Sequence, residues 1–406
     1  MQYKQFGKNG PMVSRLGFGC MRLPSIGEGE NKRCDDEKCI PILHRAYELG
    51  INFFDTAWGY TNRDNQRIVG KAVHDFRDKI YLSSKLPPSE VQQPGDFRRK
   101  LEHTLKLMDT DYLDFYHMHA LNAQKFDHAK KMEMDKDMLK AKEEGLIRHI
   151  SFSFHDSPEA LKHIIDYGCI QGEAQAAATR GDSAESLALV GQVPDLHGGS
   201  GLESVLLQYN LLDRANEEMI QYAAKKGLGV VVMGPVGGGR LAAPTELAAK
   251  LGTEAVNTYE LAFKFLLGNP GVCCALSGMQ TIDMVEQNAK VASLENPMSE
   301  EEWRRVGESL ENLKKFSELY CTGCGYCQPC PKGINIPKIF QAYTYLNVYG
   351  LTETAKNTWN GYLNDQKNPG VSPSECINCG YCERKCPQHL KVRELLKKVE
   401  GVLSAL

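Results

Sequence analysis

The sequence lacks long apolar runs, and it lacks an excess of either charge. Its longest apolar stretch, GLGVVVMG at 227–234, has the length of a strand and is too short to cross a bilayer. Lys and Arg number 48 against 51 Asp and Glu, a net charge of -3 at pH 7, so no basic field is offered to nucleic acid. The first ten residues, MQYKQFGKNG, contain no apolar core of a signal peptide, which predicts a cytoplasmic protein.

The cysteine pattern does not indicate a disulfide framework, because cysteines in a reducing compartment stay as thiols. Of the fourteen cysteines, eight lie in two compact groups after residue 320. We interpret the scattered six as small buried apolar side chains: Cys20, Cys34, Cys39, Cys169, Cys273 and Cys274.

Eight short apolar runs alternate with helical patterns over the first 290 residues. They lie near residues 16, 52, 80, 113, 148, 205, 230 and 273. Each is apolar on both faces, as a parallel strand covered by helices must be. Eight strand–helix units predict an α/β fold, a (β/α)8 TIM barrel, and a doubly wound sheet is the alternative. Asn9-Gly10, ahead of the first run, predicts an N-terminal hairpin that plugs the bottom of the barrel.

The length of 406 residues predicts one large domain followed by a smaller one. We place the barrel at 1–295, with a flexible surface insertion rich in Ala, Gly and Ser at 170–201. A connecting helix is expected at 296–317, where Ser299 and Glu302 have the spacing of a capping box. A small, largely helical domain at 318–406 contains the clustered cysteines.

Chemically useful side chains follow three consecutive strands of the predicted barrel. Asp55, Lys85 and His119 lie at the carboxyl ends, where barrels carry their active sites, and Tyr60 lies in the adjoining loop. Tyr60 can protonate a carbonyl oxygen that receives a hydride, and His119 can orient that oxygen. We expect the Lys85 ammonium, held by Asp55, to lower the pKa of Tyr60 from its usual value near 10.

These residues carry a resemblance to the aldo-keto reductases. FFDTAWGY, SSK and DYLDFYHMH are similar to the Asp-Thr-Ala…Tyr, lysine and Asp-x-x-x-x-His motifs of that family, over residues 1 to about 290. The resemblance implies a catalytic tetrad of Asp55, Tyr60, Lys85 and His119, with NADP or NAD bound without a Rossmann unit. Met21, Trp58 and His117 are candidate substrate contacts, and we expect His117 to face away from the barrel interior.

The resemblance also implies a cofactor site in three parts. Ser153 matches the carboxamide contact, although Phe154 replaces its usual asparagine partner, and Gln208 lies two residues beyond the position of the family glutamine. No Lys or Arg lies between Ser277 and Asn288 to take a 2′-phosphate, so the choice between NAD and NADP stays open. The remaining implied contacts are a glycine loop and the strand-eight segment: Gly237, Gly238, Gly239, Arg240, Ser277, Gly278, Met279, Glu286 and Asn288.

The clustered cysteines form two similar runs. Cys376, Cys379, Cys382 and Cys386, followed by a proline, have the C-x2-C-x2-C-x3-C-P spacing of bacterial ferredoxins. Cys321, Cys324, Cys327 and Cys330 repeat it with a shorter last gap. Zinc is the alternative, but zinc modules usually separate their C-x2-C units by a longer span.

Residues 318–390 resemble dicluster [4Fe-4S] ferredoxin domains, in which the fourth cysteine of each run ligates the other cluster. The resemblance implies two crossed ligand sets: Cys321, Cys324, Cys327 and Cys386, and Cys376, Cys379, Cys382 and Cys330.

The sequence therefore predicts an NAD(P)-dependent oxidoreductase of a small carbonyl or alcohol, with two [4Fe-4S] clusters. Because a hydride moves two electrons and a cubane passes one, a ferredoxin or flavoprotein is an expected redox partner. The alternative is an electron-transfer or redox-sensing protein whose barrel docks partners.

Overall fold

The computed structural model describes residues 1–179, 201–211, 213–242, 251, 257–295, 297–312, 319, 321, 323–347, 352–366 and 368–406. Contacts divide the chain into two units. The first comprises Met1–Tyr209, Ala215–Met233 and Asn269–Pro297, and the second comprises Asn210–Arg214, Gly234–Gly268 and Met298–Leu406. The boundaries at 295 and 318 stay a prediction. In the part of the chain that the structure describes, no helix has the length and apolarity needed to cross a membrane.

A closed barrel of eight parallel strands forms the first unit, as predicted. Their order around the barrel is the order in the chain, and β12 pairs with β3 to close the ring. The eight strands are β3 (Leu16–Gly19), β6 (Phe53–Asp55), β7 (Tyr81–Leu86), β8 (Leu113–Leu121), β9 (Ile147–Phe154), β10 (Ser204–Gln208), β11 (Gly229–Met233) and β12 (Cys274–Ser277). Since all eight are parallel, their carboxyl ends lie at one end of the barrel.

An N-terminal hairpin of β1 (Tyr3–Gln5) and β2 (Met12–Ser14) precedes the barrel. Phe6, at its turn, belongs to the same buried cluster as the inward-facing Leu206 and Val231. Its ring lies 5.9 Å from that of Phe53 and 4.6 Å from that of Phe115, measured between centroids. The hairpin therefore plugs the barrel with an aromatic side chain, which confirms the prediction.

A second, small hairpin lies between the first two barrel strands and was not predicted. It consists of β4 (Ser25–Ile26) and β5 (Arg33–Cys34). Gly27 and Gly29 between them have φ of 77° and 56°, the left-handed region in which a Cβ is costly.

Helices alternate with the strands through the first unit. Side chains cap several of them: the Asp35 carboxylate accepts from Lys38 N, and the Thr281 hydroxyl accepts from Met284 N. These helices are α1 (Asp36–Glu48), α2 (Asn65–Val73), α3 (Asp96–Leu107), α4 (Ala123–Lys131), α5 (Met134–Glu143), α6 (Pro158–Thr179), α7 (Glu217–Lys225) and α9 (Ile282–Ala292). The start of the predicted insertion is thus helical, and its residues 180–200 lie outside the described part.

The second unit contains the helices α8 (Thr258–Gly268), α10 (Glu300–Asn312), α11 (Ile336–Asn347), α12 (Thr352–Leu363), α13 (Tyr381–Lys385) and α14 (Val392–Leu403). At the start of α10, Ser299 Oγ accepts from Glu302 N at 3.1 Å, as a capping residue does. The cysteine-rich part has its own apolar core, in which Ile339, Phe340, Trp359, Leu396 and Val399 pack together.

Candidate active site and cysteine cavities

Asp55 and Lys85 form a buried ion pair on neighbouring strands. Both residues are buried, with exposed fractions of 4% for Asp55 and 1% for Lys85. Lys85 Nζ also donates to the backbone oxygen of Thr56 at 2.8 Å, and Ser83 Oγ donates to Asp55 Oδ1 at 2.8 Å. Burial raises the pKa of the Asp55 carboxyl, while Lys85 and Ser83 oppose that shift by stabilising the anion.

Tyr60 and His119 lie against this pair and keep part of their surface exposed. Their ring centroids are 5.9 Å apart with the planes nearly perpendicular. Lys85 Nζ lies 5.4 Å from the centre of the Tyr60 ring. The structure thus brings all four predicted catalytic side chains together, with the ion pair enclosed and the phenol and imidazole reachable.

The pKa of Tyr60 differs from our expectation. Desolvation of its hydroxyl raises the pKa of Tyr60, and the nearby Asp55 carboxylate and Cys20 add to the rise. The expectation that Lys85 lowers this pKa was wrong for the structure as it stands. Because Lys85 directly contacts Asp55, the pair presents little net positive charge to the phenol.

His119 is held neutral. Desolvation moves the pKa of His119 well below its usual value, and the charges of Lys85, His155 and Lys125 lower it further. Among the described residues its Nδ1 has no hydrogen-bond partner. A neutral imidazole can donate one hydrogen bond without adding a charge, which suits the orientation of a carbonyl oxygen.

His117 faces the barrel interior, so the expectation that it faces away was wrong. Residues two apart on a strand point to the same side, which puts His117 with His119. His117 Nε2 lies 2.9 Å from Ser83 Oγ, and the imidazole is 1% exposed. A chain of polar contacts therefore runs from Lys85 through Asp55 and Ser83 to His117.

Two cavities lie in the second unit, and cysteines line both. They are similar in size. One is lined by Cys327, Cys330, Cys376, Cys379 and Cys382, and the other by Cys321, Cys324, Cys327 and Cys386. Burial, with the neighbouring Cys321 and Cys324 and then Cys386, raises the pKa of Cys327 to about 12. The fourth cysteine of each run thus lies with the first three of the other run.

Known families match both parts of the chain. The profile of the aldo/keto reductase family matches residues 15–311. The chain belongs to the aldo/keto reductase family. The profile of a 4Fe-4S dicluster domain matches residues 320–390, so this aldo/keto reductase carries a ferredoxin-type domain.

Individual relatives cover mainly the barrel. An oxidoreductase from Schizosaccharomyces pombe is 23% identical over 317 residues, covering 76% of this chain and 90% of that protein. Aldo-keto reductase dtxS3 from Metarhizium robertsii is 28% identical over 283 residues, covering 60% of this chain and 66% of that protein.

Solved structures show the same barrel. The holo form of aldo-keto reductase AKR11C1 from Bacillus halodurans is 25% identical, with a TM-score of 0.60 over 76% of this chain and 96% of its own. A Klebsiella pneumoniae aldo/keto reductase in complex with NADP and acetate shares the fold, at 20% identity and a TM-score of 0.55, over 75% of this chain and 93% of its own.

On the carboxamide side of the predicted cofactor site, Ser153 and Phe154 already make contacts within the protein. Ser153 Oγ accepts a hydrogen bond from Ala120 N at 2.7 Å, and Phe154 is fully buried. Gln208 shares a face of β10 with Leu206, which belongs to the barrel core. Gln208 therefore faces inward, one layer nearer the carboxyl end.

The glycine loop is a tight left-handed turn. Gly237, Gly238 and Gly239 have φ of 58°, 71° and 99°, values that residues with a Cβ rarely adopt. Two of the amides are used within the turn, since Gly237 N donates to Gly234 O at 2.9 Å and Gly239 N to Val236 O at 3.1 Å. The side chain of Arg240 lies outside the described residues.

The strand-eight segment is ordered by its own contacts. Ser277 Oγ accepts from Asn288 Nδ2 at 3.1 Å, and Met279 is buried. Glu286 is exposed and pairs with Arg45 at 2.8 Å. A Cβ built on Gly278 lies 3.4 Å from side-chain carbons of Arg22, so a second arginine borders the segment.

Two contributors to the site were not predicted from the sequence. Ser83 lies two residues before Lys85 on one strand face, so a period of two was the available signal. The other is the loop after Tyr60, in which Thr61, Asn62 and Arg63 all have positive φ, 46°, 52° and 73°. No sequence pattern indicated three successive left-handed residues.

Proposed function

We propose that this chain is an NAD(P)-dependent oxidoreductase that interconverts a carbonyl and an alcohol by hydride transfer. The observation that carries the proposal is the meeting of Tyr60, His119 and the buried Asp55–Lys85 pair at one end of the barrel. Proton donor, hydrogen-bond donor and charge pair are the parts that a carbonyl reduction needs from a protein.

The nicotinamide supplies the hydride when it is bound. Tyr60 donates its hydroxyl proton to the carbonyl oxygen as negative charge develops there, and His119 hydrogen-bonds the same oxygen and fixes its direction. Asp55 holds the Lys85 ammonium 5.4 Å from the centre of the Tyr60 ring, beside the phenolate that Tyr60 becomes. In the reverse direction the phenolate accepts the alcohol proton.

The cofactor is NADP or NAD, held by the residues named above for the carboxamide, glycine-loop and strand-eight contacts. The Klebsiella pneumoniae relative binds NADP, which supports a nicotinamide. The Arg45 guanidinium contacts Glu286, and side-chain carbons of Arg22 border Gly278, so two arginines lie beside a segment that has no cation of its own. These arginines favour NADP, since a 2′-phosphate needs a cation.

Two [4Fe-4S] clusters with crossed ligation belong to the proposal. The two four-cysteine sets named in the sequence analysis line the two cavities, which supports one cluster in each. The fourth cysteine of each run lines the cavity of the other run, an arrangement typical of dicluster ferredoxin domains, which supports multi-iron clusters over zinc. Thiols and clusters of this kind suit the cytoplasm.

The second candidate function is electron transfer or redox sensing with the barrel as a scaffold. Its support is the carboxamide side of the site, where Ser153 already bonds Ala120 and Phe154 fills the next position. Clusters pass one electron at a time, so exchange with a hydride donor needs a flavoprotein or a similar splitter.

Turnover assays separate the two candidates. Anaerobic protein is mixed with NADH or NADPH and a panel of aldehydes and ketones, and oxidation of the nicotinamide is followed. We expect turnover that falls by about 10²- to 10⁴-fold in Tyr60→Phe, because the general acid is removed. Equal turnover of wild type and Tyr60→Phe contradicts the proposed mechanism, and no turnover with any substrate favours the scaffold function.

A further inference from the structure

One cluster cavity reaches the surface through an apolar side chain and a cysteine. Ile377 lines the cavity that contains Cys376, Cys379 and Cys382, and its exposed fraction of 57% is the largest of any big apolar side chain in the described ranges. Cys379 is itself exposed. In the other cavity, Cys321, Cys324 and Cys386 are only partly exposed and Cys327 is buried. The first cavity is therefore the more accessible one.

Basic side chains surround this exposed point. Lys332, Arg393 and Tyr381 line the same cavity, and Lys385 Nζ lies 6.0 Å from the centre of the Tyr381 ring. Arg384 Nη1 donates to the backbone oxygen of Cys379 at 3.1 Å, and Arg393 Nη1 donates to that of Asn378 at 3.3 Å. Two guanidinium groups thus hold the loop that contains Ile377.

The acidic side chains nearby do not cancel this charge. Glu383 forms an ion pair with Arg393 at 2.7 Å, and Glu375 and Glu394 are exposed acids. Residues 321–406 contain ten Lys and Arg against six Asp and Glu, although the whole chain has a net charge of -3. The side chains of the cysteine-rich part are therefore more basic than those of the rest of the chain, before the negative charge of a bound cluster and its four thiolates is counted.

We propose that this surface is the docking site of an acidic one-electron carrier protein. We call it the Ile377 face and define it as Ile377 and Cys379 with the surrounding Lys332, Arg384, Lys385 and Arg393. An exposed apolar side chain supplies the dry centre of an interface, and the basic rim steers an acidic partner into register. One electron crosses between the carrier and the adjacent cluster, so that one centre is oxidised as the other is reduced, and no bond or proton moves.

This inference rests on the proposed clusters and not on the barrel reaction. Its test uses the anaerobic full-chain holoprotein and a purified acidic ferredoxin as the probe. Calorimetry gives the Kd, and stopped-flow mixing of reduced ferredoxin with oxidised holoprotein gives the rate constant of electron transfer. Iron content is measured in every preparation, so a failure to assemble clusters is distinguished from a failure to bind.

We expect binding and rate constant to weaken by about tenfold or more between about 0.02 M and about 0.2 M salt, because charge pairs at an interface rim are screened. A basic cytochrome c, used as the opposite probe, is expected to show no such salt dependence. Tight binding that does not change with salt concentration, or equal binding of the two carriers, overturns the proposal. This test needs no protein variant.

Matched variants locate the surface. Lys332→Glu/Lys385→Glu reverses two charges on the Ile377 face, and Lys338→Glu/Lys356→Glu makes the same change elsewhere in the domain. We expect the first pair to slow electron transfer by about tenfold and the second to have little effect. Ile377→Ser is expected to weaken binding with the salt dependence retained. Equal losses in the two double variants mean that only total charge matters, which overturns the assignment of the face.

Discussion

At the scale of single residues, the protonation of Tyr60 has a measurable consequence. Desolvation and the charges of Asp55 and Cys20 raise its pKa, so the hydroxyl keeps its proton throughout the neutral range. We expect kcat for carbonyl reduction to be flat up to about pH 9, since the acid form is the one that reacts. A tyrosine whose pKa Lys85 had lowered gives a fall in kcat near pH 7 to 8 instead, and the kcat profile distinguishes the two.

Ser83 gives a second prediction at this scale. Its hydroxyl donates to Asp55 and lowers the pKa of a carboxyl that burial raises. Ser83→Ala removes that bond, so the pKa of Asp55 rises and the Asp55–Lys85 pair is lost at a higher pH as the solution is acidified. The acid limb of kcat is therefore expected to move upward in pH.

Ser84 supplies the matched control for that experiment. It is equally buried on the same strand, but its hydroxyl bonds Gln66 at 2.7 Å on the other face. Ser84→Ala costs stability without touching Asp55, so its acid limb is expected to stay in place. The role of Ser83 is contradicted when both variants shift alike.

The reactive side chains were predictable from the sequence, but the pKa of Tyr60 was not. Asp55, Lys85 and His119 were predictable because each ends a buried apolar run, and strand ends converge in a barrel. The pKa of Tyr60 was not, because it depends on whether Lys85 is already neutralised by Asp55. His117 was assigned to the wrong face although the period of two was legible.

At the scale of elements, the Asn62 side chain ties the loop after Tyr60 to the hairpin of β4 and β5. Asn62 has a φ of 52°, and its amide donates to three backbone oxygens around the hairpin of β4 and β5. These oxygens belong to Gly29, at 2.7 Å, Glu30, at 3.3 Å, and Lys32, at 3.2 Å. Left-handed backbone is costly for most residues and persists where contacts enforce it.

Two substitutions distinguish the effect of the Asn62 side-chain hydrogen bonds from the effect of its left-handed backbone. Asn62→Gly removes the amide but tolerates the left-handed φ, whereas Asn62→Ala removes the amide and adds a backbone cost of about 1 kcal/mol. We expect both to lower kcat because Tyr60 precedes the loop, and Asn62→Ala to have the lower Tm. Unchanged kcat in both variants shows that the tether does not position Tyr60.

Elements were predictable where local pattern and burial agree. All eight barrel strands and the first hairpin appeared as expected, because parallel strands covered on both faces leave uninterrupted apolar runs. The hairpin of β4 and β5 did not, since its strands have two residues each and three of these four residues are exposed. Its position is fixed by distant partners such as Asn62 and Asp64, which accepts from Cys34 N at 2.8 Å.

At the scale of the whole molecule, crossed ligation predicts which cysteines act together. If Cys330 belongs with Cys376, the double variant Cys330→Ser/Cys376→Ser removes one cluster and leaves about four of about eight irons. Cys330→Ser/Cys321→Ser then removes both clusters. Uncrossed ligation predicts the opposite pattern, and iron analysis of the two anaerobic preparations decides between them.

Cys327 stands in the wall of both cysteine cavities. Electrons tunnel between metal centres at rates that fall steeply with separation, so clusters in two cavities that share a wall would equilibrate with each other quickly. Such a pair would store two electrons, one on each cluster. That capacity would equal the pair of electrons in one hydride, which gives the proposed pair of clusters a stoichiometric reason.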